Sequence, residues 1–174
     1  TCKVPIVIVK STQSPITEDG VRRGARPSCA SKNGLNFAVC IDRSNLSRMA
    51  FDTALMYAKP QDSIFCLHVG GGEPPLDKKS EANSTTLQHM YRAECDKMVD
   101  QRQVAVASIT VVPKTKSVKE HIMDFVEQQM VDVIVMGSVE LSKANKKDRL
   151  GSVCSSVSRE SHAHACIVKN FNKA

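Results

Sequence analysis

The stretch from Met136 to Val153, MGSVELSKANKKDRLGSV, contains the residue types that could bind a phosphate group. The pair Gly137-Ser138 ends an apolar run, and a second pair, Gly151-Ser152, begins a segment with helical spacing of its apolar residues. Glycine lets the backbone approach an anion, and a helix N-terminus offers unpaired N–H groups with a favourable dipole. Positive charge between the two pairs comes from Lys143, Lys146, Lys147 and Arg149. From these residues alone, an ordinary N-cap role for Ser152 explains the second pair equally well.

Two other clusters have residue types that bind ligands elsewhere. Gly70-Gly71-Gly72 follows a predicted strand, but GxGxxG is incomplete and Pro74-Pro75 prevents the turn from entering a helix directly. His162, His164 and Cys166 alternate as zinc ligands on a strand could, yet no fourth ligand lies nearby in the sequence. We therefore predict packed side chains at His162–Cys166 and no metal site.

Composition narrows the class of protein. The 174 residues are 41% hydrophobic, which is enough for one domain with a sizeable core. No apolar run approaches the roughly 18 residues of a membrane span. The seven cysteines are scattered without a CxxC pair, so we expect free thiols and a cytoplasmic location. With a net charge of +6 and only 4% aromatic residues, the chain lacks the dense basic, aromatic-rich pattern of nucleic-acid-binding proteins.

The elements that must position the candidate residues alternate between strands and helices. Five apolar runs predict strands: 36–42, 62–70, 104–113, 131–137 and 164–171. Helical spacing of apolar residues predicts helices over 44–60, 83–103 and 117–130, and Ser117 with Glu120 forms a capping box. This alternation predicts a doubly wound α/β fold with a parallel sheet. A ligand is then expected beyond the carboxyl ends of the strands, where Asp42, Val69 and Gly137 stand.

Residues 1–35 have a different composition from the rest of the chain. An apolar run near the start predicts a further strand, and the following residues have the composition of a linker. Because Val4–Lys10 resembles the final run at 165–170, we expect it to be the last strand of a preceding, similar domain. The sequence therefore predicts a strand and linker over 1–35 and one domain over 36–174. It also predicts that Val4–Lys10 pairs with the edge strand Ala165–Lys169, in its own chain or in a partner chain.

Four stretches in combination resemble the universal stress protein family over about residues 36–170. They are VCIDRSNLSRMAFDTAL, FCLHV, DVIVMGS and GSVCSSVSRESHAHACIVK. The resemblance implies a five-stranded parallel sheet of order 3-2-1-4-5 between helices, to which Val4–Lys10 would add an edge strand. It also implies a regulatory domain of a stress-response protein that binds ATP or AMP, with or without Mg²⁺. Members of this family commonly pair as homodimers or tandem pseudo-dimers through their edge strands.

The resemblance also implies which residues bind the nucleotide. In nucleotide-binding members, the fourth strand leads into Gly-x-x-Gly, nine residues, and then Gly-Ser or Gly-Thr. Gly137 matches the first glycine and Gly151-Ser152 the last pair, but Glu140 replaces the middle glycine and the second spacer has ten residues. Asp42 matches the carboxylate near the ribose and adenine, and Val69 matches a residue of the adenine pocket. The neighbouring candidate positions are Cys40, Ile41, Met136, Ser138 and Val153.

The departure at Glu140 leaves a second function open. A carboxylate in the path of a triphosphate adds repulsion, and a non-glycine residue restricts the backbone of the loop. The alternative is therefore a member of the same fold that has no nucleotide cofactor and acts as an interaction or dimerisation module. No general base is evident beside the loop, so at most a weak ATPase activity is expected.

Overall fold

The computed structural model describes residues 6–8, 34–70, 88–89, 91–93, 95–97, 104–138 and 150–169. Elements with defined bounds in these ranges are β1 (Ile6–Ile8), β2 (Asn36–Cys40), α1 (Asn45–Tyr57), β3 (Ser63–Gly70), β4 (Ala105–Pro113), α2 (Val118–Gln128), β5 (Val133–Ser138), α3 (Ser152–Glu160) and β6 (His164–Lys169). The described residues between 88 and 97 are also helical. In the parts of the chain that are described, no helix is long and apolar enough to cross a membrane.

The strands form one sheet in the order β1-β6-β5-β2-β3-β4. Strands β2 to β6 are parallel to one another. Counted from β2, their order is 3-2-1-4-5, which confirms the predicted doubly wound sheet. The order reverses between β2 and β5, so the connections from these two strands leave on opposite faces and a crevice opens between their carboxyl ends.

The predicted N-terminal edge strand is present, and it pairs with β6 of the same chain. β1 pairs antiparallel with β6, with Ile6 opposite Ile167 and Ile8 opposite Ala165. This pairing covers backbone groups of β6 that would otherwise form an open edge. The rest of the run predicted over Val4–Lys10 and the predicted linker lie outside the described residues, and the domain boundary at residue 35 stays a prediction.

Helices cover both faces of the parallel sheet, which explains why its strands are apolar on both sides. α1 packs on the face that includes Val39, Ile64 and Val135. α2 and α3 pack on the opposite face, which includes Leu67, Ile134, Met136 and Ile167. We refer to these as the α1 face and the α3 face.

Two aspartates hold the amino ends of the strands together. The carboxylate of the buried Asp62 accepts hydrogen bonds from the N–H groups of Leu35 at 2.8 Å and Lys59 at 2.7 Å. Asp132 accepts one from the N–H of Asn36 at 2.9 Å. These bonds satisfy backbone groups at the turns, so polar side chains at this end of the sheet have a structural role. The candidate residues all lie at the other end.

Candidate functional site

A cavity of about 210 Å³ lies at the carboxyl ends of β2 and β5, where the strand order reverses. Seven of the ten predicted binding residues line it: Cys40, Ile41, Asp42, Val69, Met136, Gly137 and Val153. The other three, Ser138, Gly151 and Ser152, are not part of its lining. The cavity is smaller than the roughly 300–1,000 Å³ typical of ligand sites, so it would enclose only part of a nucleotide.

Asp42 lies on the turn from β2 into α1 and presents a fixed carboxylate to the cavity. Its Oδ1 accepts a hydrogen bond from the N–H of Ser44 at 3.0 Å, and Ser44 is in turn the N-cap of α1. Partial burial raises the pKa of Asp42, but hydrogen bonds from Ser44 and Ser47 and the nearby charge of His68 outweigh it. The pKa of Asp42 is therefore below its ordinary value, and the carboxylate is ionised at neutral pH.

His68 of β3 holds the turn that contains Asp42 in place. Its Nδ1 lies 2.9 Å from the carbonyl oxygen of Ile41. Because a carbonyl oxygen can only accept, Nδ1 is the donor in this bond. The N–H of Ile41 also donates to the carbonyl oxygen of Leu67 at 2.9 Å, so β3 holds this turn at two points. His68 was not among the residues predicted from the sequence, although it directly precedes Val69 in the FCLHV stretch.

Gly137 lies where the first turn of α1 crosses the end of β5. A Cβ at this position would be 2.8 Å from the Cβ of Leu46 and 2.9 Å from the Leu46 carbonyl carbon. Any side chain here would push α1 away from the sheet. Gly137 was predicted only as a phosphate-binding residue, whereas its contact with Leu46 is a packing requirement that holds with or without a ligand.

Ser138 joins β5 to α3 instead of lining the cavity. Its side chain is buried, and its Oγ accepts a hydrogen bond from the N–H of Gly151 at 3.2 Å. This bond joins the end of β5 to the N-cap of α3. Residues 139–149, which include Glu140 and the four basic residues noted in the sequence, lie outside the described residues.

The N-terminus of α3 has no side-chain cap. Its N-cap is Gly151, and no acidic residue lies in its first turn. Ser152 is the first helical residue and not the N-cap, so the ordinary N-cap interpretation of Ser152 is wrong. By contrast, α1 and α2 are capped by Ser44 and Ser117, the latter with the predicted capping box. Within the described residues no side chain caps the first N–H groups of α3, so they can face an anion, and Val153 in this turn borders the cavity.

Two thiols belong to the wall of the cavity. Burial, with smaller contributions from Cys154 and Asp42, raises the pKa of Cys40 to about 12. Burial also raises the pKa of Cys154, whose Sγ donates a hydrogen bond to the carbonyl oxygen of Gly137 at 3.5 Å. Both groups are neutral thiols near pH 7, so they act as small apolar walls and not as nucleophiles.

Seven further lining residues were missed: six lie in or directly before helices predicted only as packing elements, and Leu67 belongs to β3. They are Ser44, Leu46, Ser47, Leu67, Val118, Ile122 and Cys154. The residues at the helix starts could have been predicted from the topology, because every helix that follows a parallel strand begins at the carboxyl end of the sheet. The cavity therefore has a polar side at the start of α1 and an apolar side at the start of α2. Within the described residues, no three side chains are arranged as metal ligands.

Comparisons with known proteins agree with the fold. A model described as the Universal stress protein family matches residues 36–169. No curated protein sequence matches the chain. Among solved structures, UspA from Lactobacillus plantarum is similar with a TM-score of 0.57 and 19% identity, over 79% of this chain and 99% of that one.

Two further structures contain nucleotides according to their descriptions. One is a universal stress protein in complex with cAMP, with a TM-score of 0.58 and 17% identity, over 79% of this chain and 98% of that one. The other is a universal stress protein family protein from Arabidopsis thaliana with AMP bound, with a TM-score of 0.52 and 15% identity, over 79% and 93% of the two chains. Similarity at these identities establishes the shared fold.

Proposed function

The chain belongs to the universal stress protein family, and we propose that it binds an adenine nucleotide at the carboxyl ends of β2 and β5 and acts as a regulatory domain in a stress response. The observation that supports this most directly is the pairing of two features across one cavity. On one side stands the ionised carboxylate of Asp42, and on the other the uncapped N-terminus of α3. The two features suit the opposite ends of a nucleoside phosphate.

The chemistry of the lining fits the parts of a nucleotide. Leu67, Val69 and Met136 provide apolar surface for the flat faces of an adenine ring. An ionised carboxylate is an acceptor only, so Asp42 would accept from the hydroxyl groups of ribose or from the adenine amino group. The N–H groups of Ser152 and Val153, with the hydroxyl of Ser152, would hold phosphate.

AMP or ATP is the ligand that we propose, with Mg²⁺ as a companion of ATP. Binding of cAMP and AMP is described for two relatives and supports the ligand class without extending to this chain. A monophosphate needs only the first turn of α3, whereas the two further phosphates of ATP need additional binding groups. Calorimetry with both nucleotides, with and without Mg²⁺, measures what the further phosphates contribute.

The test of the proposal is isothermal titration of the purified protein with AMP, ATP and cAMP up to millimolar concentrations. Asp42→Asn removes the charge but keeps the shape, and a hydrogen bond to a charged group contributes about 1.5–3 kcal/mol, so affinity should fall about 10- to 100-fold. Asp52→Asn is the matched control, because Asp52 is an exposed carboxylate of α1 outside the cavity lining, and its affinity should equal that of the wild type. Absence of any response from the wild type would remove the proposal.

A second function, as an interaction or dimerisation module without nucleotide, is favoured by the sheet edge. Within the described residues, β1 pairs only with β6, so its outer edge is open to a strand from a second copy or from a tandem domain. Light scattering at rising protein concentration tests this role. A stable dimer that responds to no nucleotide supports the module, and a monomer at high concentration contradicts it.

A further inference from the structure

Lys169, the last residue of β6, is a lysine with an almost fully buried stem at the same end of the sheet. Only 5% of its surface is exposed. Across the described ranges, no carboxylate lies within ion-pair distance of its ammonium group. Packing of the stem holds the ammonium group in one place, and without a countercharge among these residues the group is available to an anion. The sequence analysis treated this residue only as the end of a strand.

The register of the sheet directs Lys169 toward the start of α3. Lys169 lies beside Ser138 of β5 in the parallel pairing. Side chains alternate between the faces of a strand, and Ile167 belongs to the α3 face whereas Val168 belongs to the α1 face. Lys169 is therefore on the α3 face. Ser138 lies on that face too, since its Oγ accepts from the N–H of Gly151 at the N-cap of α3.

We propose that Lys169 is a phosphate-binding residue, whose ammonium group acts together with the open N–H groups at the start of α3. A phosphate bound there would be the countercharge that Lys169 lacks among the described residues. Lysine suits this role because its ammonium group is a compact point charge with three donors. The inference rests on the proposed function, since it assigns the phosphate end of the same nucleotide. It adds a strand residue to a site otherwise formed at that end by a helix terminus.

The experiment compares wild type, Lys169→Met and Lys59→Met in titrations with ATP, adenosine and inorganic pyrophosphate. Lys59→Met is the matched control, because it removes the same charge from an exposed position before β3, at the opposite end of the sheet. Lys169→Met should weaken ATP binding at least tenfold and leave adenosine binding unchanged. It should also reduce the dependence of ATP affinity on salt concentration. Lys59→Met should match the wild type in every titration.

A structural role of Lys169 would give a different pattern. If Lys169 only stabilises the fold, Lys169→Met lowers the thermal midpoint and leaves the preference for ATP over adenosine intact, which overturns the inference. Lys169→Gln, which keeps a polar side chain, replaces Lys169→Met in all titrations if the methionine variant does not fold. An equal loss of ATP and adenosine affinity in the folded variant also overturns the inference.

Pyrophosphate separates the failure of this inference from the failure of the proposed function. If the wild type binds neither adenosine nor ATP, the proposed function fails. The role of Lys169 is then tested with pyrophosphate alone, by comparing how much pyrophosphate raises the thermal midpoint of the wild type and of Lys169→Met. Stabilisation of the wild type but not of Lys169→Met supports an anion site at Lys169, and equal behaviour of the two proteins overturns it.

Discussion

The contact between Gly137 and α1 allows a substitution to be predicted quantitatively. In Gly137→Ala, the added Cβ would lie 2.8 Å from the Cβ of Leu46 and 3.0 Å or less from its carbonyl carbon and oxygen. Carbon atoms at optimal separation are about 3.5–4.0 Å apart, so α1 must move away by about 0.7 Å. Because two of the three contacts are with backbone atoms, rotation of the Leu46 side chain cannot relieve the overlap.

The expected cost follows from two opposing contributions. Overpacking of this kind costs about 1–3 kcal/mol. Replacing glycine by alanine recovers about 0.4–1 kcal/mol, because the unfolded chain loses conformational freedom. We expect the free energy of unfolding to fall by about 1–2 kcal/mol, which lowers the midpoint by roughly 2–8 °C for a chain of this size. The same shift would move Asp42 and the start of α1, so nucleotide affinity should fall as well.

Gly70→Ala is the matched control for this substitution. A Cβ at Gly70 would lie 3.5 Å from the carbonyl oxygen of Val112 and 4.0 Å from Nε2 of His68, which are ordinary contacts. Neither Gly70 nor Gly137 has the left-handed backbone that disfavours alanine. Urea denaturation of the three proteins measures the difference. If Gly137→Ala is as stable as Gly70→Ala, the contact with Leu46 does not limit the packing of α1 and the argument is refuted.

The remaining predictions concern charge, capping, the strand ends and the N-terminal strand. The pKa of Asp42 is lowered on folding, so its contribution to stability is full above its unfolded pKa and is lost as pH falls through the folded value; the stability difference between wild type and Asp42→Asn should shrink over that acidic range, and a constant difference would contradict this. Gly151→Ser adds a side-chain cap, so α3 should gain a few tenths of a kcal/mol while phosphate affinity falls, and unchanged affinity would show that the helix N-terminus is not used. Asp62→Ala leaves two backbone N–H groups without their acceptor and should cost about 2–4 kcal/mol in urea denaturation, with a smaller loss indicating that water replaces the carboxylate. Deletion of residues 1–12 should expose the edge of β6 and lower stability or raise self-association, and unprotected amides at Ile6–Ile8 in hydrogen exchange would argue against the pairing.

The doubly wound parallel sheet and the end at which its cavity lies could be predicted from the pattern of the sequence, whereas the strand order 3-2-1-4-5 was implied only by the family resemblance. Near-continuous apolar runs that alternate with amphipathic helices can bury both kinds of surface only in a parallel sheet covered on both faces. Asp42, Val69 and Gly137 were placed at its carboxyl end because each follows or ends such a run. The capping box at Ser117 and Glu120 could also be predicted, because it depends only on two residues that are three positions apart in the sequence.

The roles of individual side chains were decided only by the tertiary structure. Gly137 meets Leu46, Ser138 meets Gly151, and Lys169 lies beside Ser138 through the register of β5 and β6. These partners are distant along the chain, and no local pattern encodes which of them meet. Register and helix packing are set by the whole core at once, because one residue of shift in a strand would turn every side chain to the other face. Local chemistry thus specified the elements, and their packing decided which residues form the walls of the cavity and which hold those walls in place.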